Sequence, residues 1–103
     1  MNKKLLDQVE QEKRRYEKEG FLILGVFGSY ARSEENSESD MDILYEMTEK
    51  FLSNHTGWDL YFRIEEIKKE IEKRLSLKID LVNKNALDSI GQYFNLPEVE
   101  YVS

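Results

Sequence analysis

Apolar residues recur at two periods along the chain, and the switches between them mark its elements. In residues 3–19, Leu5, Leu6, Val9 and Tyr16 return at roughly helical spacing among Lys, Glu and Arg, and Gly20 follows as a C-terminal stop. That pattern predicts an amphipathic helix packed on a sheet. Phe21 to Phe27 (FLILGVF) is apolar throughout, as expected of a strand buried on both faces. Polar residues then dominate as far as Ser39, with one or two helical turns and a loop expected over 29–36. A second strand is expected from Asp40 to Tyr45, with Met41 and Ile43 entering the core. Periodicity fades from Glu46 to Gly57, and Ser53 to Gly57 (SNHTG) reads as a loop.

Leu60, Ile64, Ile67, Ile71 and Leu75 then step by four, three, four and four residues, which predicts a strongly amphipathic helix. On its polar face Glu65, Glu66, Glu70 and Glu72 alternate with Lys68, Lys69, Lys73 and Arg74. Such local pairs are worth only about a few tenths of a kcal/mol each. Trp58 and Tyr61 are assigned to core packing, with a stacked base or a partner face as the alternative. A third strand follows at Leu77 to Val82, then a short helix from Asn83 to Phe94, stopped near Pro97. Val99 to Val102 suits an edge strand, a docked tail or a partner contact. The expected fold class is α+β (mixed α/β): a small mixed sheet of three or four strands with helices packed on it, in one domain spanning 1–103.

Composition narrows the class. At 103 residues, 40% hydrophobic and 35% charged, the chain suits a small soluble domain with a heavily charged surface. No apolar run is long enough to span a bilayer, and no signal-peptide pattern opens the chain, so a cytoplasmic setting and no membrane partner are expected. Cysteine is absent, which excludes disulfides and thiolate metal sites. The net charge of −6 argues against direct nucleic-acid binding through phosphates, which needs clustered Lys and Arg. It softly favours a basic protein partner. Lys13, Arg14 and Arg15 are read as a solvated helix face rather than a phosphate contact, and the lone His55 as a surface loop residue rather than a base or ligand.

The candidate chemistry lies between the first two strands. Gly28-Ser29 closes the apolar run, a ten-residue spacer follows, and Asp40 and Asp42 stand one residue apart at the entry to the second strand. On a strand both carboxylates point the same way, roughly 7 Å apart at about 3.3 Å per residue. Gly28 admits a phosphate close to the backbone, and Ser29 adds a hydroxyl. Mg²⁺ prefers one or two carboxylates together with substrate phosphates. A pair of such ions about 4 Å apart stabilises both the attacking and the leaving oxygen at phosphorus. Each element alone has a plainer explanation as a turn, a solvated acidic loop or the start of a strand; the combination points to nucleotidyl transfer. Asp80, flanked by Ile79 and Leu81, suits either an exposed edge strand or the same cleft.

The segment GSYARSEENSESDMDILYE resembles the signature of the DNA polymerase β-type nucleotidyltransferase superfamily, and its SYAR and SDMDIL wording most resembles the minimal, MntA-like nucleotidyltransferases. One departure is Ser33, where many members carry Gly after Ala-Arg. The resemblance implies an ATP-using enzyme with Asp40, Asp42 and Asp80 as catalytic and metal-binding acids. Gly28, Ser29 and Arg32 would hold the nucleotide, with Mg²⁺, as two ions, for cofactor. Arg32 has a surface salt bridge to Glu34 or Glu35 as its plainer alternative. The resemblance further implies a type VII antitoxin that transfers AMP to a tyrosine of a HEPN-type ribonuclease toxin. A transferase subunit acting on a small molecule or an RNA end, and an antitoxin that masks its partner without catalysis, are the competing readings. A site shared by Gly28, Ser29 and Asp40 requires the first two strands to run antiparallel.

Overall fold

The computed structural model describes residues 3–28, 30, 40–85 and 100–101. Its elements run α1 (Lys3–Glu17), β1 (Phe21–Phe27), β2 (Met41–Met47), α2 (Glu49–Asn54), α3 (Trp58–Leu75), β3 (Ile79–Asn83) and β4 (Glu100–Tyr101). The strands form one sheet in the order β3-β2-β1-β4. β1 is antiparallel to β2 and to β4, whereas β2 and β3 are parallel. This is the expected mixed sheet with helices, and the tail contributes an edge strand at Glu100 and Tyr101. Most of the turns and loop expected over 29–36, and most of the helix expected over 83–94, lie outside the described residues.

One face of the sheet carries the core. Phe21, Ile23, Val26, Met41, Ile43, Tyr45 and Ile79 from the strands bury together with Val9 and Tyr16 of α1, Phe51 of α2, and Ile67, Ile71 and Leu75 of α3. Phe21 stacks on Tyr45 at 4.7 Å between ring centres and touches Phe51 at 5.5 Å. β1 departs from simple alternation: its register shifts between Ile23 and Gly25, leaving Leu24 as the extra residue of a bulge. The bulge flips the end of the strand, so Val26 enters the core and Phe27 pairs with Asp42 on the other face. β1 is also less enclosed than its composition predicts. Leu22, Leu24 and Phe27 are only half-buried, because the described helices all lie on the opposite face.

Two other expectations are corrected. The stretch from Glu46 is not featureless: β2 continues to Met47, and Thr48 caps a short helix by accepting from the Phe51 amide. The Thr48 hydroxyl also donates to the Gly20 carbonyl at 3.0 Å. Gly20 has φ +92°, and a Cβ there would lie 2.2 Å from that hydroxyl oxygen, so glycine is required twice over. Trp58, Tyr61 and Phe62 do not pack on the core; they are 76, 55 and 61% exposed at the start of α3. The fully buried residues of α3 are Ile67, Ile71 and Leu75, with Leu60 and Ile64 of the expected stripe packed against the same core. His55 caps α2 and packs half-buried on Phe51, 4.7 Å between rings.

The polar face of α3 reaches further than its own neighbours. Arg74 grips the buried Glu12 of α1 through both Nε and Nη2, at 2.9 and 2.7 Å, and also meets the Tyr16 hydroxyl. Tyr16 in turn donates to Glu70, and Arg63 forks onto Glu19 while holding Glu66. Burial, together with the Glu70 carboxylate, pushes the Tyr16 phenol up to about 12. Lys13 pairs locally with Glu17, as a solvated helix face would, and Arg15 reaches toward the buried Glu12.

Candidate active site

Asp42 is carried on β2 with its flanking residues Met41 and Ile43 fully buried, so alternation turns its carboxylate to the face away from the helices. Asp40, two residues earlier, stands exposed just before the strand and shares that side. β3 then supplies the third acid. In the parallel register Asp42 and Asp80 are direct partners, and Met41 pairs with Ile79, which is buried in the core. The Met41 amide donates to the Lys78 carbonyl at 2.9 Å and ties the two strand entrances together. Neighbouring strands lie about 4.8 Å apart. Asp80 is therefore both on an exposed edge strand and beside Asp42; the two sequence readings describe one position.

Gly28 completes the arrangement. Its φ of +77° is disfavoured for residues with a side chain, and a Cβ built on it would lie 2.5 Å from Asp42 Oδ2. The end of β1 is thus a bare backbone resting on the carboxylate at the start of β2, as the antiparallel pair requires. Ser29 and Arg32 lie outside the described residues. Tyr30 does not: it is 6% exposed and belongs to the core cluster, anchoring the chain just past Gly28. Sequence reasoning passed over this anchor, although an aromatic residue two positions after the turn glycine was its signal.

The electrostatics are those of crowded anions. Partial burial, then the charges of Asp80 and Asp40, together push the Asp42 carboxyl up to about 6. Three hard oxygen donors that repel one another match a divalent cation, which would reverse the local pKa logic. Among the described residues no three Asp, Glu or His side chains are gathered closely enough to chelate one ion as they stand. The match therefore rests on strand register and mutual field rather than on a preformed cage.

A strand-turn-strand unit of this kind, with acids on β2 and β3 and a glycine at the end of β1, is compatible with a nucleotidyltransferase. Residues 10–96 match the polymerase β nucleotidyltransferase family, and the chain belongs to it. A protein of Thermococcus cleftensis named protein adenylyltransferase MntA is 34% identical over 107 aligned residues, covering 94% of this chain and 95% of that one. A Methanocaldococcus jannaschii protein, also named as a protein adenylyltransferase, is 39% identical over 64 residues; that match spans 62% of this chain and 58% of the relative. Among solved structures, a minimal nucleotidyltransferase superposes with a TM-score of 0.71 at 24% identity, covering 97% of this chain and 95% of the other. A toxin–antitoxin crystal structure with AMP-PNP gives 0.68 at 13% identity, covering 95 and 72%. These two likenesses bear on the fold alone.

Proposed function

We propose that this chain transfers AMP from ATP to a hydroxyl of a partner protein. The observation that carries the reading is the direct pairing of Asp42 with Asp80 across parallel strands, with the Gly28 backbone against the Asp42 carboxylate. The names of the relatives supply the reaction class, since two are protein adenylyltransferases. The structural neighbour crystallised as a toxin–antitoxin with AMP-PNP supports a toxin partner and an adenine nucleotide. The family resemblance adds the finer features: a HEPN-type ribonuclease toxin, a tyrosine acceptor, and silencing by AMP in the manner of a type VII antitoxin. No helix among the described residues is long and apolar enough to cross a membrane.

In this mechanism Gly28, with Ser29 and Arg32, holds the triphosphate near the entrances of β2 and β3. The acceptor hydroxyl oxygen bonds to the α-phosphorus, the bond from that phosphorus to the bridging oxygen breaks, and pyrophosphate leaves. Asp40, Asp42 and Asp80 would hold Mg²⁺, which supplies Lewis-acid neutralisation of the phosphates. Asp80, the exposed acid on the edge strand, takes up the hydroxyl proton. The carboxylates alone would repel a triphosphate.

Intact mass of the protein encoded by the adjoining gene, after incubation with this chain, ATP and Mg²⁺, tests the reading. Added mass in steps of one AMP on a tyrosine is expected. An unmodified protein whose toxicity is nonetheless neutralised would favour masking. Labelled AMP appearing on a small molecule or an RNA end would replace the protein acceptor.

A further inference from the structure

We propose that a second copy of this chain docks on the outer face of α3, in an antiparallel two-fold arrangement. Trp58, Tyr61 and Phe62 form one exposed aromatic group, with rings 5.8 to 6.4 Å apart. Three large rings left in water around the first turn of one helix make a surface that monomeric proteins rarely carry without use. The same helix supplies their complement. Beyond Phe62 an open groove of about 480 Å³ runs along α3, lined by Phe62, Glu65, Glu66, Lys69, Glu70 and Lys73. Knob and groove therefore share one helix face, which is the condition for an isologous contact.

Charge sets the direction. Of the exposed charges on this face, Asp59 and Glu66 lie toward the N-terminal end, and Lys69 and Lys73 toward the C-terminal end. A parallel copy would bring like against like. An antiparallel copy crossing near Glu66 sets Trp58 against Lys73, Phe62 against Lys69, and Asp59 beside Lys73. Ring faces attract ammonium groups, and lysine stems cover apolar surface. Glu66, at the crossing point, is already held by Arg63, which offsets the repulsion between the two copies there. The exposed parts of the three rings amount to roughly 400 Å² per copy. With the lysine stems, a symmetric pair reaches the low end of specific interfaces, about 1,000 Å², so dissociation in about the micromolar range is expected.

The acceptor-bearing protein is a poorer occupant. α3 packs through Ile67, Ile71 and Leu75 on the sheet face that also carries Met41, Ile43 and Ile79, whereas Asp42 and Asp80 alternate to the other face. A hydroxyl reaching those acids approaches from the side opposite α3. Docking on α3 consequently leaves both sites of the pair open.

Sedimentation velocity of the full chain over a roughly hundredfold range of concentration should show the mass rising from one chain toward two. Trp58→Ala with Phe62→Ala should hold it at one chain throughout, with melting unchanged because both rings are exposed. Lys73→Glu should weaken association about tenfold, and adding Asp59→Lys should restore it. The chain has no cysteine, so Glu66→Cys offers a single thiol near the two-fold axis and should oxidise to a covalent dimer. A chain that stays single at every concentration overturns the proposal, even if another protein occupies the aromatic patch. A dimer indifferent to loss of both rings overturns it, and so does a charge reversal that Asp59→Lys cannot rescue. The readouts are mass, melting and cross-linking, so they stand apart from AMP transfer.

Discussion

The two faces of this sheet treat charge in opposite ways. On the helix side the charge buried among the described residues has its partner: Glu12, 3% exposed, receives two nitrogens of Arg74, and Tyr16 sits between Arg74 and Glu70. On the other side Asp40, Asp42 and Asp80 face one another, and burial and repulsion push Asp42 up to about 6. The first arrangement holds α1 to α3. The second costs stability and is retained at the strand entrances, where perturbed carboxylates mark function. Charge pairing on this molecule separates what keeps it folded from what it does.

The largest effect should come from Asp42→Asn. Losing a carboxylate that would hold the cation should cut AMP transfer more than about a hundredfold. Pyrophosphate release from ATP and Mg²⁺ in the presence of the acceptor reads the loss. The same substitution should leave the fold intact and raise its denaturation midpoint. Transfer that survives would remove Asp42 from the chemistry. Arg74→Ala inverts the outcome. It strands the buried Glu12 carboxylate, which costs about 3–5 kcal/mol when a buried pair loses one member. Arg74 keeps a third of its side chain in water, so about 2–3 kcal/mol is the expected fall in unfolding free energy by urea titration. Transfer per folded molecule should not change. Removing both partners, as in Glu12→Met with Arg74→Leu, should recover most of that stability.

How much of this is legible in the sequence depends on how local each signal is. β1, β2 and α3 announce themselves through apolar period, and Gly28, Asp40 and Asp42 through spacing, because a strand fixes which side chains share a face. Asp80 is different. Its own sequence allowed an edge strand or a cleft, and only the parallel register with β2, reached through the α2–α3 connection, makes it the neighbour of Asp42. The bulge at Leu24 is silent in FLILGVF, since every residue there is apolar and either parity looks buried. The Glu12–Arg74 clamp joins residues 62 apart, which no helical period encodes. Trp58 and Tyr61 misled for a related reason: aromaticity suggests core, but the stripe that α3 turns inward is Leu60, Ile64, Ile67, Ile71 and Leu75, and the rings lie on its outer side.

The smallest effect is the one that separates the faces most cleanly. Asp42 has an ordinary carboxyl value of 3.8 when unfolded and about 6 when folded, so between those values the folded chain holds the extra proton. Stability must then fall as pH rises through that window, with the full penalty present above about 6 and none below 3.8. For a half-buried group screened by water the penalty is on the order of 1 kcal/mol. Metal-free protein should therefore melt higher at the acid end of the window than at neutral pH, once the other carboxylates are cancelled by comparison with Asp42→Asn, which lacks this contribution. Mg²⁺ at neutral pH should reverse the sign, because a cation favours the charged carboxylates and stabilises the folded state that binds it. A difference curve between the two proteins that is flat with pH, or that is unmoved by Mg²⁺, would mean that the three acids do not act on one another as their register implies.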